Sequence, residues 1–146
     1  MFETLTCYIS QIDTEKAGNW GPDHVTGKNG KDEPVMPFVI YSSGIKKLVE
    51  AVGTFAREHP ECKSYDDILA QSNIEWGEDS MGKADVSKLD GKTVFALILG
   101  ACRAERFCDG VLLYFAESGC LSRWLHRLKE IDEQNKESED RVHDKV

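Results

Sequence analysis

Lys92-Thr93-Val94-Phe95-Ala96-Leu97-Ile98-Leu99-Gly100-Ala101-Cys102-Arg103-Ala104-Glu105-Arg106-Phe107-Cys108 is the stretch whose reading decides the fold. Apolar residues crowd its first half and recur at helical spacing as far as Cys108, and Asp90 stands where an N-cap belongs. The pattern predicts one long, largely buried helix over about 92–108. A helix this apolar needs other helices to cover it, and the sequence supplies them on both sides. Gly110 marks an interruption, residues 111–115 resume the helical pattern up to Gly119, and a last helix carries Leu121, Trp124, Leu125, Leu128 and Ile131 on one stripe.

Upstream, Ser42 or Ser43 can cap a helix whose apolar face is Ile45, Leu48, Val49, Val52, Phe55 and Ala56, and His59-Pro60 stops it. Ser64-Tyr65-Asp66-Asp67 resembles a capping box with aspartate in place of glutamate, opening a short helix through Ile68 and Leu69. Phe2, Leu5, Ile9 and Ile12, with Tyr8 beside them, predict a first helix ending before Gly18. Between that helix and Ser42, Asn29-Gly30 reads as the turn of a small hairpin joining strands near His24–Thr26 and 35–41. Pro34 and Pro37 cannot donate ladder hydrogen bonds and confine the second strand to an edge.

The expected fold class is therefore mainly α: a compact bundle of five or six helices with one small β-hairpin after the first. One domain is expected over residues 1–133, followed by a charged stretch at 134–146 that is either a solvated helical extension or a frayed tail.

Composition narrows the function classes. The 146 residues hold 26 acidic against 18 basic side chains, a net charge of −8, with 40% hydrophobic and 30% charged residues. The balance is that of a globular acidic protein and argues against nucleic acid, whose backbone is held by clustered lysine and arginine. It also argues against an anionic membrane surface, and the near-apolar run at 111–116 is far too short to span a bilayer. Met1-Phe2-Glu3-Thr4-Leu5 lacks the basic start of a signal peptide. The five cysteines, Cys7, Cys62, Cys102, Cys108 and Cys120, are odd in number and form no C-x-x-C. Reduced thiols and a cytoplasmic location follow as expectations, with Cys102 and Cys108 packing as small hydrophobes. Cys108, Cys120 and His126 have no finger spacing, so no metal and no cofactor is expected.

Three blocks carry a family resemblance: Ala84-Asp85-Val86-Ser87-Lys88-Leu89-Asp90, Arg103-Ala104-Glu105-Arg106-Phe107-Cys108-Asp109-Gly110, and Trp124-Leu125-His126-Arg127-Leu128-Lys129. With Met36-Pro37-Phe38-Val39, Tyr41-Ser42 and Ile74-Glu75-Trp76-Gly77, they resemble an uncharacterised family of small bacterial proteins, a domain of unknown function. The resemblance covers nearly the whole chain. It implies one domain and a bacterial cytosolic source, and it brings no established activity and no catalytic residues.

The chain has no P-loop, no G-x-G-x-x-G, no H-E-x-x-H and no G-x-S-x-G. The residue that needs a reason is Glu105, which on a continuous helix from 92 to 108 would point with the apolar face. A carboxylate taken from water must be paired, hydrogen-bonded or protonated. Asp109, one turn on, shares its side, and with Arg103 or Arg106 it could form a small polar pocket shaped by Trp76 and Tyr41. The structural alternative is that Glu105 pins the loop of Trp76 or Tyr41 by hydrogen bonds, and we favour it. Trp124 fits the core, Trp20 and Trp76 lie in loops, Arg123 and Arg127 read as a solvated face ion-paired through Glu130, and the four histidines have no convergent partner. No residue is assigned a catalytic role. The expected function is a non-catalytic interaction or regulatory module, with a protein partner or a homodimer. The alternative is a small enzyme or nucleotide- or small-molecule-binding protein using the Glu105 and Asp109 cluster.

Overall fold

In the computed structural model the backbone is described for residues 1–21, 24–26, 32–34 and 38–144, and side chains for 1–21 and 38–136. In chain order the elements are α1 (Glu3–Thr6), α2 (Ile9–Thr14), β1 (Gly18–Trp20), β2 (His24–Thr26), β3 (Asp32–Pro34), β4 (Val39–Tyr41) and α3 (Ser43–Glu58). A 3-10 turn at Pro60–Cys62 leads to α4 (Tyr65–Gln71) and α5 (Glu78–Lys83). A second 3-10 turn at Val86–Lys88 precedes α6 (Gly91–Ala104), α7 (Val111–Glu117) and α8 (Cys120–Asp144). The architecture is mainly helical with a small antiparallel β feature after the first helical segment, the expected class.

α6 starts where local chemistry places it, with the Asp90 carboxylate accepting from the Thr93 N–H at 2.9 Å. From Val94 to Ala101 it is buried on every side, packed by α3, α4, α7 and α8. An all-round apolar helix belongs at the centre of a helical domain, and burial of this stretch is the main source of its stability. α3 is capped by Ser42, whose hydroxyl accepts from the Ile45 N–H, and it buries Ile45, Leu48, Val52, Phe55 and Ala56. Val49, expected on the same face, is 37% exposed. Phe2, Phe55 and Phe95 stack at 5.3 and 4.6 Å between ring centres and tie the start of the chain and α3 onto α6. α8 closes the far side with Leu121, Trp124, Leu125 and Leu128 fully buried.

Four local expectations are corrected. The first helix is two short ones separated by a turn at Cys7 and Tyr8, a bend that lets Phe2, Leu5 and Ile9 all reach the core. Ser64 makes no side-chain cap; the Asp67 N–H is taken by Asp66 instead. The strands pair differently: His24–Thr26 runs against Asp32–Pro34, while Val39–Tyr41 runs against Gly18–Trp20, with Gly18 opposite Tyr41 and Trp20 opposite Val39. Trp20 is thus on a strand, and the Asn29-Gly30 turn, with Pro37, lies outside the described residues. Last, the helix from 92 ends at Ala104, because residues 105–108 turn back on the carbonyls of Ala101, Arg103 and Ala104.

At the end of the chain α8 continues to Asp144. Among the described side chains its last buried residue is Asp132, whose carboxylate accepts from the Phe2 N–H at 2.8 Å. Residues 133–136 are exposed. Removing residues 134–146 is expected to change stability by less than about 1 kcal/mol, measured by chemical denaturation, because 134–136 are exposed and the rest of the stretch carries almost no apolar residue to bury. A truncation that also takes Asp132 should cost clearly more, since it strips a buried acceptor from the start of α1.

Candidate functional site

Glu105 sits at the turn between α6 and α7, half-buried and outside both helices. Its carboxylate faces the start of α7. One oxygen accepts from the Gly110 and Leu112 N–H groups, both at 3.0 Å, and the other accepts from Gly110 at 3.1 Å. The next donor, Leu113 N–H, goes to the Tyr41 hydroxyl at 3.2 Å. Val111 donates to Cys108 and Tyr114 to Gly110. A helix start leaves N–H groups without partners inside the helix, and here the chain satisfies them from a carboxylate upstream and from a phenol on β4.

The same turn carries the close approach of the outer ribbon. Gly110 has φ of +96°, the left-handed region that glycine enters without steric cost. A Cβ there would also overlap the Trp20 indole, so glycine is required twice over. Trp20 and Tyr41 lie on one face of the β1–β4 ladder and bring it down on residues 110–113.

The structure therefore brings Glu105 and Tyr41 together and separates the rest of the expected cluster. Asp109 is exposed on the turn, and Phe107 and Cys108, expected on the inner face of a longer helix, are exposed as well. The reason is the early end of α6, which rotates everything after Ala104 away from the direction a continuous helix would give. Arg106 is exposed and Arg103 half-buried, and neither makes an ion pair among the described residues. Trp76 joins a different group: its indole N–H donates to the Gly100 carbonyl at 2.9 Å, and its ring meets Tyr65 at 5.9 Å and Phe107 edge-on at 6.1 Å. Beside Glu105, a cleft of about 240 Å³ is lined by Tyr41, Ile45, Lys46, Val49, Cys102 and Leu112.

Burial holds the Tyr41 phenol well above its ordinary value, and the neighbouring Glu105 carboxylate adds to this through hydrogen bonding and charge. Burial likewise pushes the Cys102 thiol up to about 12, which keeps it from acting as a nucleophile at neutral pH. Both groups keep in the folded state a proton that the unfolded chain releases near pH 9.0 to 10.0. Their contribution to stability is complete below that range and is lost progressively as pH rises from it toward the raised values of the folded state. The denaturation midpoint should therefore fall in alkali, and Tyr41→Phe should flatten part of the fall; an unchanged alkaline profile in the variant would contradict this assignment.

Sequence reasoning missed one polar cluster. Asp13 on α2 accepts from the Ser122 hydroxyl at 2.5 Å and meets His126 Nε2 at 2.8 Å, both on α8. Ser122 and His126 are one turn apart, which is a visible spacing, but Asp13 lies more than a hundred residues away and leaves no local signal. These two contacts hold Asp13 below the usual carboxylate range. Arg127 does pair with Glu130, at 2.8 Å, yet it is mostly buried and also donates to the Leu89 carbonyl, so it clamps a loop as well as facing solvent.

A family of unknown function (DUF6508) matches residues 3–134. The chain belongs to that family. The match runs from α1 into α8 and includes the 105–113 turn and the β1–β4 ladder. No curated protein and no solved structure matches the chain. Among the described residues no helix is long and apolar enough to cross a membrane.

Proposed function

We propose that this chain is a non-catalytic interaction module that docks a protein partner through the aromatic surface of the turn after α6. The observation that carries this reading is Phe107, which is 80% exposed at a turn fixed by the bonds of Glu105 to residues 110 and 112. Its ring meets Trp76, itself 43% exposed, edge-on. Arg106 stands next to it in the turn. Clustered exposed aromatics beside arginine are what protein interfaces use as anchors, because each buries a large area at low entropic cost.

The commitment of Glu105 supports the non-catalytic part. Its two oxygens accept from the backbone N–H groups of Gly110 and Leu112, which gives the carboxylate a holding role in the turn. Asp109 is at the surface. The five cysteines are all free thiols, which fits a bacterial cytoplasm. The alternative, a small enzyme or nucleotide-binding protein, is supported by the cleft beside Glu105, whose other charged lining residue is Lys46.

Selection of random peptides displayed on phage against the immobilised domain tests the proposal. Enriched peptides should carry apolar anchors, and Phe107→Ser or Trp76→Ala should weaken them by about tenfold or more. Enrichment that ignores both substitutions, or none at all together with a monomer in sedimentation, would overturn it. Concentration-dependent dimerisation lost in Phe107→Ser would make the partner a second copy. A thermal-shift screen covers the alternative: a metabolite that raises Tm in the parent and not in Glu105→Gln would favour a small-molecule site.

A further inference from the structure

The surface on the other side of Gly110 differs from the docking surface in chemistry. An open cleft of about 430 Å³ is lined by Trp20, Gly110, Leu113, Tyr114, Glu117 and Ser118. Trp20 is 50% and Tyr114 47% exposed, which is unusual for two large rings in one concavity. They do not stack on each other; Tyr114 instead sits against Phe115 at 5.5 Å, and Trp20 rests on Gly110. Each ring is thus held by the protein while the space between them stays open.

The hydrogen-bonding inventory of the cleft narrows what can enter. The N–H groups of Gly110, Leu113 and Tyr114 are spent on Glu105, Tyr41 and the Gly110 carbonyl. The Ser118 hydroxyl is directed at the Phe115 carbonyl and the Cys120 sulfur. Among the described lining residues none is cationic, and Glu117 is the one charged side chain. A phosphate or carboxylate would find the Trp20 indole N–H and the Tyr114 hydroxyl as donors, but no cation among the described lining residues to neutralise it, and it would meet the like charge of Glu117. A bare metal ion would exchange a strong hydration shell for a single carboxylate. An alkylated ammonium is different: its charge is spread over a hydrocarbon shell and weakly hydrated, it needs no hydrogen-bond acceptor, and aromatic faces attract it through their quadrupoles.

We propose that the cleft between Trp20 and Tyr114 binds an alkylated ammonium group, with the two aromatic rings covering its methyl groups and Glu117 supplying the opposite charge. Gly110 is the residue that makes room for Trp20 to form one wall. The group could belong to a small molecule such as choline or to a methylated lysine side chain of a protein, and both present the same chemistry. The site is separate from the surface of Phe107 and Trp76, and the proposal does not depend on that surface being an interface.

The test is titration of the whole chain with choline, with its uncharged isostere in which carbon replaces nitrogen, and with sodium chloride at matched ionic strength. The indole N–H resonance of Trp20 reports on the site. A saturable shift is expected with choline, and the isostere should bind about tenfold more weakly because it keeps the shape and loses the charge. Trp20→Leu and Tyr114→Leu should each weaken choline by about tenfold, and Glu117→Gln by about threefold, as befits one exposed charge. Tyr114 is the safer of the two aromatic substitutions, because its side chain is half in solvent and bridges no strand. A trimethyllysine peptide that binds at least tenfold more tightly than choline would assign the source to a protein side chain, and parity would assign it to a small molecule. Equal affinity for choline and its isostere, a response no different from sodium chloride, or choline binding unchanged in Tyr114→Leu would each overturn the proposal.

Discussion

Glu105→Ala is expected to lower the stability of the domain by about 2–4 kcal/mol, read as a shift of the denaturation midpoint at neutral pH. The substitution removes the acceptor of two N–H groups at the start of α7 and leaves them half-buried, where water only partly replaces a carboxylate. It also frees the ring of Tyr41 from a neighbouring negative charge, so the phenol should titrate closer to its ordinary value, a change that absorbance in alkali would follow. Glu105→Gln is the informative companion. Both 3.0 Å bonds go to the same oxygen, and an amide oxygen in that place keeps them while losing only the 3.1 Å contact. Glutamine should therefore recover more than half of the loss. An alanine variant as stable as the parent would mean that the turn is held by something other than Glu105, and the rigid presentation of Phe107 would lose its basis.

Phe95→Ala should cost about 3–5 kcal/mol, the range for deleting a fully buried aromatic ring from a packed core. Phe95 is completely inaccessible on α6 and packs its ring on Phe55, which in turn stacks on Phe2 and on His59 at 4.1 Å. The cavity would open between α6 and α3, where few side chains can move inward because their neighbours are already in contact. Phe95→Leu should recover about half of the loss by refilling part of the volume. Neither variant should alter peptide or choline binding in the folded protein, since Phe95 lines neither surface. A loss below about 1 kcal/mol would show that α6 is not the packing centre of the domain.

The two residues differ in how far the sequence alone accounts for them. Phe95 follows from the apolar run at 92–108 and from the Asp90 cap, both local features, and the structure places it at the centre of the core. Glu105 was legible only in part. Its awkward position for a charge shows that it needs partners, but the backbone donors it accepts from are not in the loop of Trp76 or Tyr41, which the sequence offers. The partners themselves, residues 110 and 112, and the phenol nearby depend on α6 ending at Ala104. A helical wheel assumes that the helix continues, and it then buries Phe107 and Cys108, which are in fact exposed. Of the two aromatic residues expected to shape a pocket around Glu105, only Tyr41 lies there, since Trp76 finds its acceptor on Gly100.

By itself the sequence determined the helical class, the central place of 94–101, the caps of Asp90 and Ser42, the buried stripe of the last helix and the burial of Trp124. Each of these is decided by residues within a turn or two of one another, through periodicity and capping, so the chain states them locally. Only the tertiary structure decided which strand pairs with which, that Trp20 covers Gly110, that Tyr41 reaches Leu113 across 72 residues, and that Asp13 joins Ser122 across 109. Those contacts have no period and no fixed spacing. They form because packing the helices around α6 brings distant side chains within reach of donors and acceptors that would otherwise be buried unpaired.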